Sequence, residues 1–373
     1  MNLTESQAFL VLNALPNIGP VSLRRLLDEF GDDPLAVLGA TASALERVKG
    51  VGPTISGSVT AWADRVDLQR EEQRLTHAKA HFVACRDDNY PALLRELYDP
   101  PIGLYQKGDY TFKRPAIAMV GSRKTTLYGQ KVARTLAREL THAGFCIVSG
   151  LARGIDTAAH EGSVEAGGPT VGVLGTGMDI IYPPENLDLY RQVKAHGAVI
   201  SEFPFGRRAD RQSFAMRNRI VAGMSVAVIV VESDKAGGSM ITARFAGEQG
   251  RQLFAVPGRI DQPTSAGCHQ LIRDGASLVT CVDDVLAEFS YLDGLAPTPI
   301  APRSYQTTDA ESGPPMSPAE ERVFACFSGG ARLTADEISI AGRLPVAEVN
   351  TALMMLELQR RIAKQPDGRF EAV

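Results

Sequence analysis

Residues 116–160 read AIAMVGSRKTTLYGQKVARTLARELTHAGFCIVSGLARGIDTAAH, two strand, glycine-loop and helix units in direct succession. The run 116–120 is short and wholly apolar, as a strand covered on both faces must be. It breaks at Gly121-Ser122-Arg123-Lys124, with Thr125 and Thr126 as candidate N-caps. From 127 to 142, Val132, Leu136 and Leu140 recur every four residues between charged ones, which predicts an amphipathic helix. A second strand, 145–148, ends at Ser149-Gly150, and Leu151-Ala152-Arg153-Gly154 leads into a helix bearing Asp156 and His160. Strands joined through helices in this way lie parallel in one sheet.

Both loops then share the carboxyl edge of that sheet, where ligands of open α/β folds bind. Each offers glycines, amides at a helix start and an arginine, the parts of a phosphate site. The alternative is a pair of ordinary turns with solvated arginines; two such loops in tandem favour a phosphate-bearing ligand. The first loop lacks the dinucleotide fingerprint G-x-G-x-x-G, and Ser149-Gly150 stands where a nicotinamide enzyme needs an acid for the ribose. Gly-Lys occurs nowhere in the chain, which excludes a Walker loop.

At 373 residues two to three domains are expected. Hydrophobic residues make up 44% and charged ones 22%, ordinary for a soluble protein, and no apolar run could span a bilayer. No secretory signal is visible in MNLTESQAFL, and five scattered cysteines suit a reducing cytoplasm. His77 and His81 are four apart without further metal ligands, which suits the surface face of a helix. A net charge of −4 argues that any nucleic-acid site is local. The stretch 206–219, with five arginines and one aspartate, is the one candidate.

Residues 1–65 read as a small helical domain. Leu15-Pro16-Asn17-Ile18-Gly19-Pro20 and Val48-Lys49-Gly50-Val51-Gly52-Pro53 resemble paired helix-hairpin-helix turns, either phosphate-binding or purely structural. Residues 66–115 read as a lead-in, with one amphipathic helix at 67–79, packed on the sheet domain. Beyond His160, strands at 171–174, 198–201, 227–231 and 253–256 alternate with helices near 185–195, 214–224, 238–248 and 268–274. This alternation predicts a doubly wound, mostly parallel Rossmann-like α/β sheet over 66–290. A proline-rich linker, 291–316, follows, and then a compact tail, 317–373, with three helices and a small wing. A winged helix of that kind binds duplex DNA through its third helix or serves protein contacts. The third helix here, ALMMLELQRR, is mostly apolar.

Taken together these motifs resemble the DNA-processing protein A family (DprA, also called Smf). The resemblance rests on Val120-Gly121-Ser122-Arg123, the run from Ser149 to Asp156, Gly175-Thr176-Gly177 with Tyr182-Pro183 and Asn186, Arg217-Asn218-Arg219-Ile220, the run from Gly238 to Thr242, and Val256-Pro257-Gly258. These occur in family order over about 90–280, and the helical N-terminal part (SAM-like) and winged tail match family accessories. The resemblance implies a protein that binds and protects single-stranded DNA in natural transformation, loads the RecA recombinase, forms homodimers through the sheet domain, and needs neither catalysis nor cofactor.

The DNA contacts it implies are Gly121, Ser122, Arg123 and Lys124 in the first loop, and Gly150, Arg153 and Gly154 in the second. Arg217, Asn218 and Arg219 follow, then Gly238, Ser239 and Thr242 at the next helix start. Arg217 and Arg219 are two apart, so one is expected at DNA and the other at a buried carboxylate such as Glu232. The chain departs from the family at Ala215, at Gly237, and after Tyr182-Pro183, where Pro184, Glu185 and Leu187 replace an expected lysine; Arg207, Arg208 and Arg211 either supply that charge or are solvated. Two other readings compete. One is a nucleotide-sugar phosphoribohydrolase on a related sheet, which needs a glutamate after its glycine loop; Ala243, Arg244 and Phe245 stand there. The other is a protein-interaction scaffold.

Overall fold

The computed structural model describes residues 3–290, 316–327, 331–365 and 367–372. The chain divides into two compact units, one holding the N-terminal helices with the sheet, the other the C-terminal helices with their wing. No helix among the described residues is long and apolar enough to cross a membrane.

The sheet has nine strands: β1 (His81–Ala84), β2 (Gly103–Lys107), β3 (Ala116–Gly121), β4 (Cys146–Ser149), β5 (Thr170–Val173), β6 (Ala198–Ser201), β7 (Ala227–Val231), β8 (Gln252–Ala255) and β9 (Ser277–Leu278). Their order is β1-β2-β6-β5-β4-β3-β7-β8-β9. From β6 to β9 every pair is parallel, and β2 pairs antiparallel with both β6 and β1. β3 sits at the point where the winding reverses: Ile117 pairs with Ile147 on one side and with Ala227 on the other. The central strands are buried along almost their whole length because helices cover both faces, so they appear in the sequence as unbroken apolar runs. Ala118, Val120, Val148, Val171, Val228 and Val230 form one core layer with Leu94, Ile220 and Ala246.

The alternating elements lie within a few residues of the positions read from the sequence. The segment 66–115 differs. It does carry the amphipathic helix, Leu68–Ala78, capped by Asp67, but it also contributes β1 and β2 to the sheet itself. His77 lies in the last turn of that helix and His81 begins β1, so the two do not share a helix face. In β2 the Phe82 ring of β1 lies where a Cβ of Gly103 would stand.

The N-terminal helices pack around Phe9, Leu12, Leu26, Leu45 and Val59, and this core includes Ala84 and Ile102 next to the sheet. Gly19 and Gly52 cap the helices Pro20–Glu29 and Pro53–Thr60 without side-chain bonds, each followed by proline, as in helix-hairpin-helix turns. In the C-terminal unit the helices Pro318–Ala325, Ala335–Gly342 and Val346–Leu358 enclose Val323, Ile338, Leu353 and Leu356. The antiparallel pair β10 (Ile362–Lys364) and β11 (Phe370–Ala372) forms the wing, giving a winged helix. The expected linker, save Met316, lies outside the described residues.

Candidate nucleic-acid interface

The loops after β3, β4, β5 and β7 gather at the carboxyl edge of the sheet, beside the winding reversal. The first two loops are interlocked. The Ser122 amide donates to the Glu232 carbonyl (2.7 Å), and the Ser122 carbonyl accepts the Ile155 amide (3.2 Å). A Cβ at Gly121 would overlap the Val231 carbonyl, and one at Gly154, where φ is +80°, would overlap the Ser122 carbonyl. These two glycines let backbone approach backbone. Among the glycines expected at the site, Gly238 alone faces open space.

The second loop is closed from within. Asp156 is buried, and its Oδ2 accepts the amides of Gly150 (3.1 Å) and Ala152 (3.3 Å). Those amides are therefore engaged by the protein, contrary to the expectation that they await a phosphate. Arg217, only 3% exposed, donates from Nη1 to the carbonyls of Gly150 (2.5 Å) and Val173 and from Nε to Asn218 Oδ1 (3.2 Å). Burial lowers its guanidinium to about 10 while Asp156 opposes the shift, and burial raises Asp156 against the pull of Arg217. His160 lies behind them, fully buried, its Nδ1 2.7 Å from Thr170 Oγ1. Burial, aided by Arg217, holds it down at about 3, so it is a neutral core histidine.

Arg219 is equally buried and faces another way. It pairs with Glu202 through Nη2 and with Asp99 through Nε (3.4 Å), and donates to the Asp99 carbonyl (2.7 Å). The carboxylate expected for it at Glu232 instead accepts the Thr125 hydroxyl (2.5 Å). Neither Arg217 nor Arg219 presents its charge to solvent. Ser239 and Thr242 are buried as well, with Ser239 Oγ 2.7 Å from Ser233 Oγ. Asn218 Nδ2 donates to the Gly238 carbonyl (3.3 Å) and ties two candidate segments together.

Exposed charge comes from Arg123 and Lys124 in the first loop, and from Arg208 and Arg211. Arg153 is exposed but paired with Glu185, which stands close to where a family lysine was expected. The Arg123 guanidinium lies 5.1 Å from the centroid of the Phe214 ring, and Arg217 lies 5.9 Å from the same centroid. Tyr182, 37% exposed, packs against Phe214 with centroids 5.5 Å apart. Sequence reasoning missed this aromatic pair. The signal available was an aromatic three residues before Arg217, in a chain where only 6% of residues are aromatic.

This architecture matches two family models. Residues 81–290 match the model described as DNA recombination-mediator protein A, and residues 307–368 match the DprA winged helix domain. The chain belongs to the DprA/Smf family. Over its full extent it is similar to Protein Smf of Synechocystis sp., 31% identical across 99% of both chains. It is 45% identical to DNA processing protein DprA of Streptococcus pneumoniae across 55% of this chain and 73% of that one. The X-ray structure of the S. pneumoniae DprA superposes with a TM-score of 0.68 at 36% identity, covering 77% of this chain and 99% of that one. A Helicobacter pylori DprA structure, described for its single-stranded DNA binding mode, superposes with a TM-score of 0.53 at 30% identity, covering 58% of this chain and 98% of that one. The match to the first family model, 81–290, takes in all nine strands of the sheet whose carboxyl edge carries the loops above.

Proposed function

We propose that this chain binds single-stranded DNA at the carboxyl edge of its sheet and acts as a recombination mediator in DNA uptake. The observation that carries the reading is the exposed Arg123 guanidinium over the Phe214–Tyr182 pair. A single strand offers a phosphate at every nucleotide and unstacked bases, and such a site answers both, the cation taking a phosphate and the rings taking a base. Lys124, Arg208 and Arg211 extend the positive surface. The open backbone at Gly238 and the uncapped helix start at Gly237 add donors for a second phosphate. The single-strand binding mode described for the H. pylori DprA supports the same ligand class.

Family membership supports, as the finer role proposed, protection of incoming strands, loading of the RecA recombinase, a homodimer formed through the sheet domain, and a cytoplasmic setting. The proposed domain division is 1–65, 66–290 and 317–373. No catalytic role is proposed. The rival hydrolase reading needs a carboxylate beside the Gly238 loop, and residues 243–245 are Ala, Arg and Phe. Titration with single-stranded and duplex DNA at two salt concentrations tests the reading; binding that prefers single strands and weakens steeply with salt is expected. Equal affinity for duplex, or turnover of nucleoside phosphates that tracks the protein through purification and is lost in Arg123→Ala, would replace it.

A further inference from the structure

Arg217 is the most elaborately held side chain at this edge, and it is closed off from solvent. Its Nη1 reaches two carbonyls on different strands' ends, Gly150 after β4 and Val173 at the end of β5, from a third element, the helix Arg211–Gly223. Its counter-charge, Asp156, uses one carboxylate oxygen to gather the Gly150 and Ala152 amides. Phe214, one turn before Arg217 on the same helix, carries Arg123 on its ring and fills the space that a Cβ of Gly175 would enter. The guanidinium also occupies the place where a Cβ of Gly150 would stand.

We infer that Arg217 and Asp156 form a latch that positions the strand-binding surface without touching the strand. Arg217 fixes the Gly150 loop and the register of the Arg211–Gly223 helix, and that helix holds Phe214 under Arg123. This rests on the single-strand reading of the edge. It reassigns Arg217 and Gly150 from contact residues to positioning residues. The buried guanidinium commits Nη1 to two carbonyls and Nε to Asn218, and drawing it out to a phosphate would take that donor from both carbonyls.

Two substitutions test this in the full-length chain. Arg217→Lys removes the Nε donor to Asn218 and sets an ammonium one bond short of the Nη1 that serves both carbonyls. Gly150→Ala leaves Arg217 and its charge in place but pushes a methyl group into the guanidinium. The new Cβ points at the buried Arg217 guanidinium. Binding of an oligothymidylate is measured across salt, and amide exchange of the DNA-free protein is followed at Gly150 and Ala152. Both variants are expected to bind about tenfold more weakly, the scale of one lost charge-assisted contact, with an unchanged slope of log affinity against log salt. Both should also exchange faster at Gly150 and Ala152 before any DNA is added. Gly150→Ala binding as tightly as the parent would overturn the latch. So would Arg217→Lys that shifts the salt slope by about one phosphate's worth with exchange unaltered. Arg123→Ala, run in parallel, separates this from the reading beneath it. If that variant leaves binding untouched, the strand site has been misplaced, while the exchange rates still decide whether the latch exists.

Discussion

Arg123 and Arg217 lie against the same phenylalanine, yet one is exposed and the other sealed, and their substitution should have different signatures. Arg123→Ala is expected to weaken single-strand binding by about 1–3 kcal/mol and to flatten the salt slope by roughly one phosphate's worth, with an unchanged circular dichroism spectrum. Phe214→Leu keeps apolar bulk against Gly175 but removes the ring. It should cost about 1–3 kcal/mol of binding, as for loss of one stacked base, at an unchanged salt slope. Arg219→Ala belongs to stability. It leaves Glu202, 8% exposed, without its main partner, and about 3–5 kcal/mol of unfolding free energy should be lost in a denaturant titration. The sequence singled out these arginines and the loop glycines but not their facing, and it passed over Phe214. Gly121, Gly150 and Gly154 were legible as places where backbone must come close. What comes close is the Val231 carbonyl, the Arg217 guanidinium and the Ser122 carbonyl, all distant in sequence. Spacing on a helix ruled out a shared face for Arg217 and Arg219, and it held no information that both faces were buried.

The helix Arg211–Gly223 carries Phe214, Arg217, Asn218 and Arg219, so its N-terminal anchor has consequences beyond itself. Asp210 and Ser213 close a capping box there: Asp210 Oδ1 accepts the Ser213 amide (2.7 Å) and Ser213 Oγ accepts the Asp210 amide (3.0 Å). The Ser213 amide, with help from Arg207, holds the Asp210 carboxyl below its ordinary 3.8. A carboxyl lowered on folding stabilises the fold above its ordinary value, and that contribution fades as pH drops through the lowered one. Asp210→Ala should therefore melt earlier than the parent at neutral pH, with the gap narrowing in melts taken below 3.8. Among the elements, buried parallel strands and amphipathic helices were readable because each is a local pattern, an apolar run or a four-residue recurrence. β1 and β2 were not. HFVA and GLYQK are short, and what makes them strands is pairing: β2 joins the sheet where Tyr105 meets Ser201, far along the chain, and β1 joins it only through β2.

For the molecule as a whole, the two compact units predict separable behaviour. A chain ending at residue 290 retains every candidate contact named above and should bind single strands within about threefold of the full chain, with an equal salt slope. A folded truncation that binds tenfold worse or more would bring the winged helix into the main site. The N-terminal helices should behave differently, because their core takes in Ala84 and Ile102 of the sheet segment, and a single shared unfolding transition is expected in calorimetry. The order in which the chain leaves the ribosome gives the winding reversal at β3 a meaning in time. The first loop is made early, but the carbonyl that anchors it belongs to Glu232, and β7, the second neighbour of β3, begins only at Ala227. At roughly 5–20 residues per second, the interval between Ile117 and its partner Ala227 is on the order of 10 s. Throughout that interval a nascent chain exposes one unpaired hydrogen-bonding edge of its central strand and holds an unfinished cradle, so the proposed DNA site is complete only after its second half-sheet has docked.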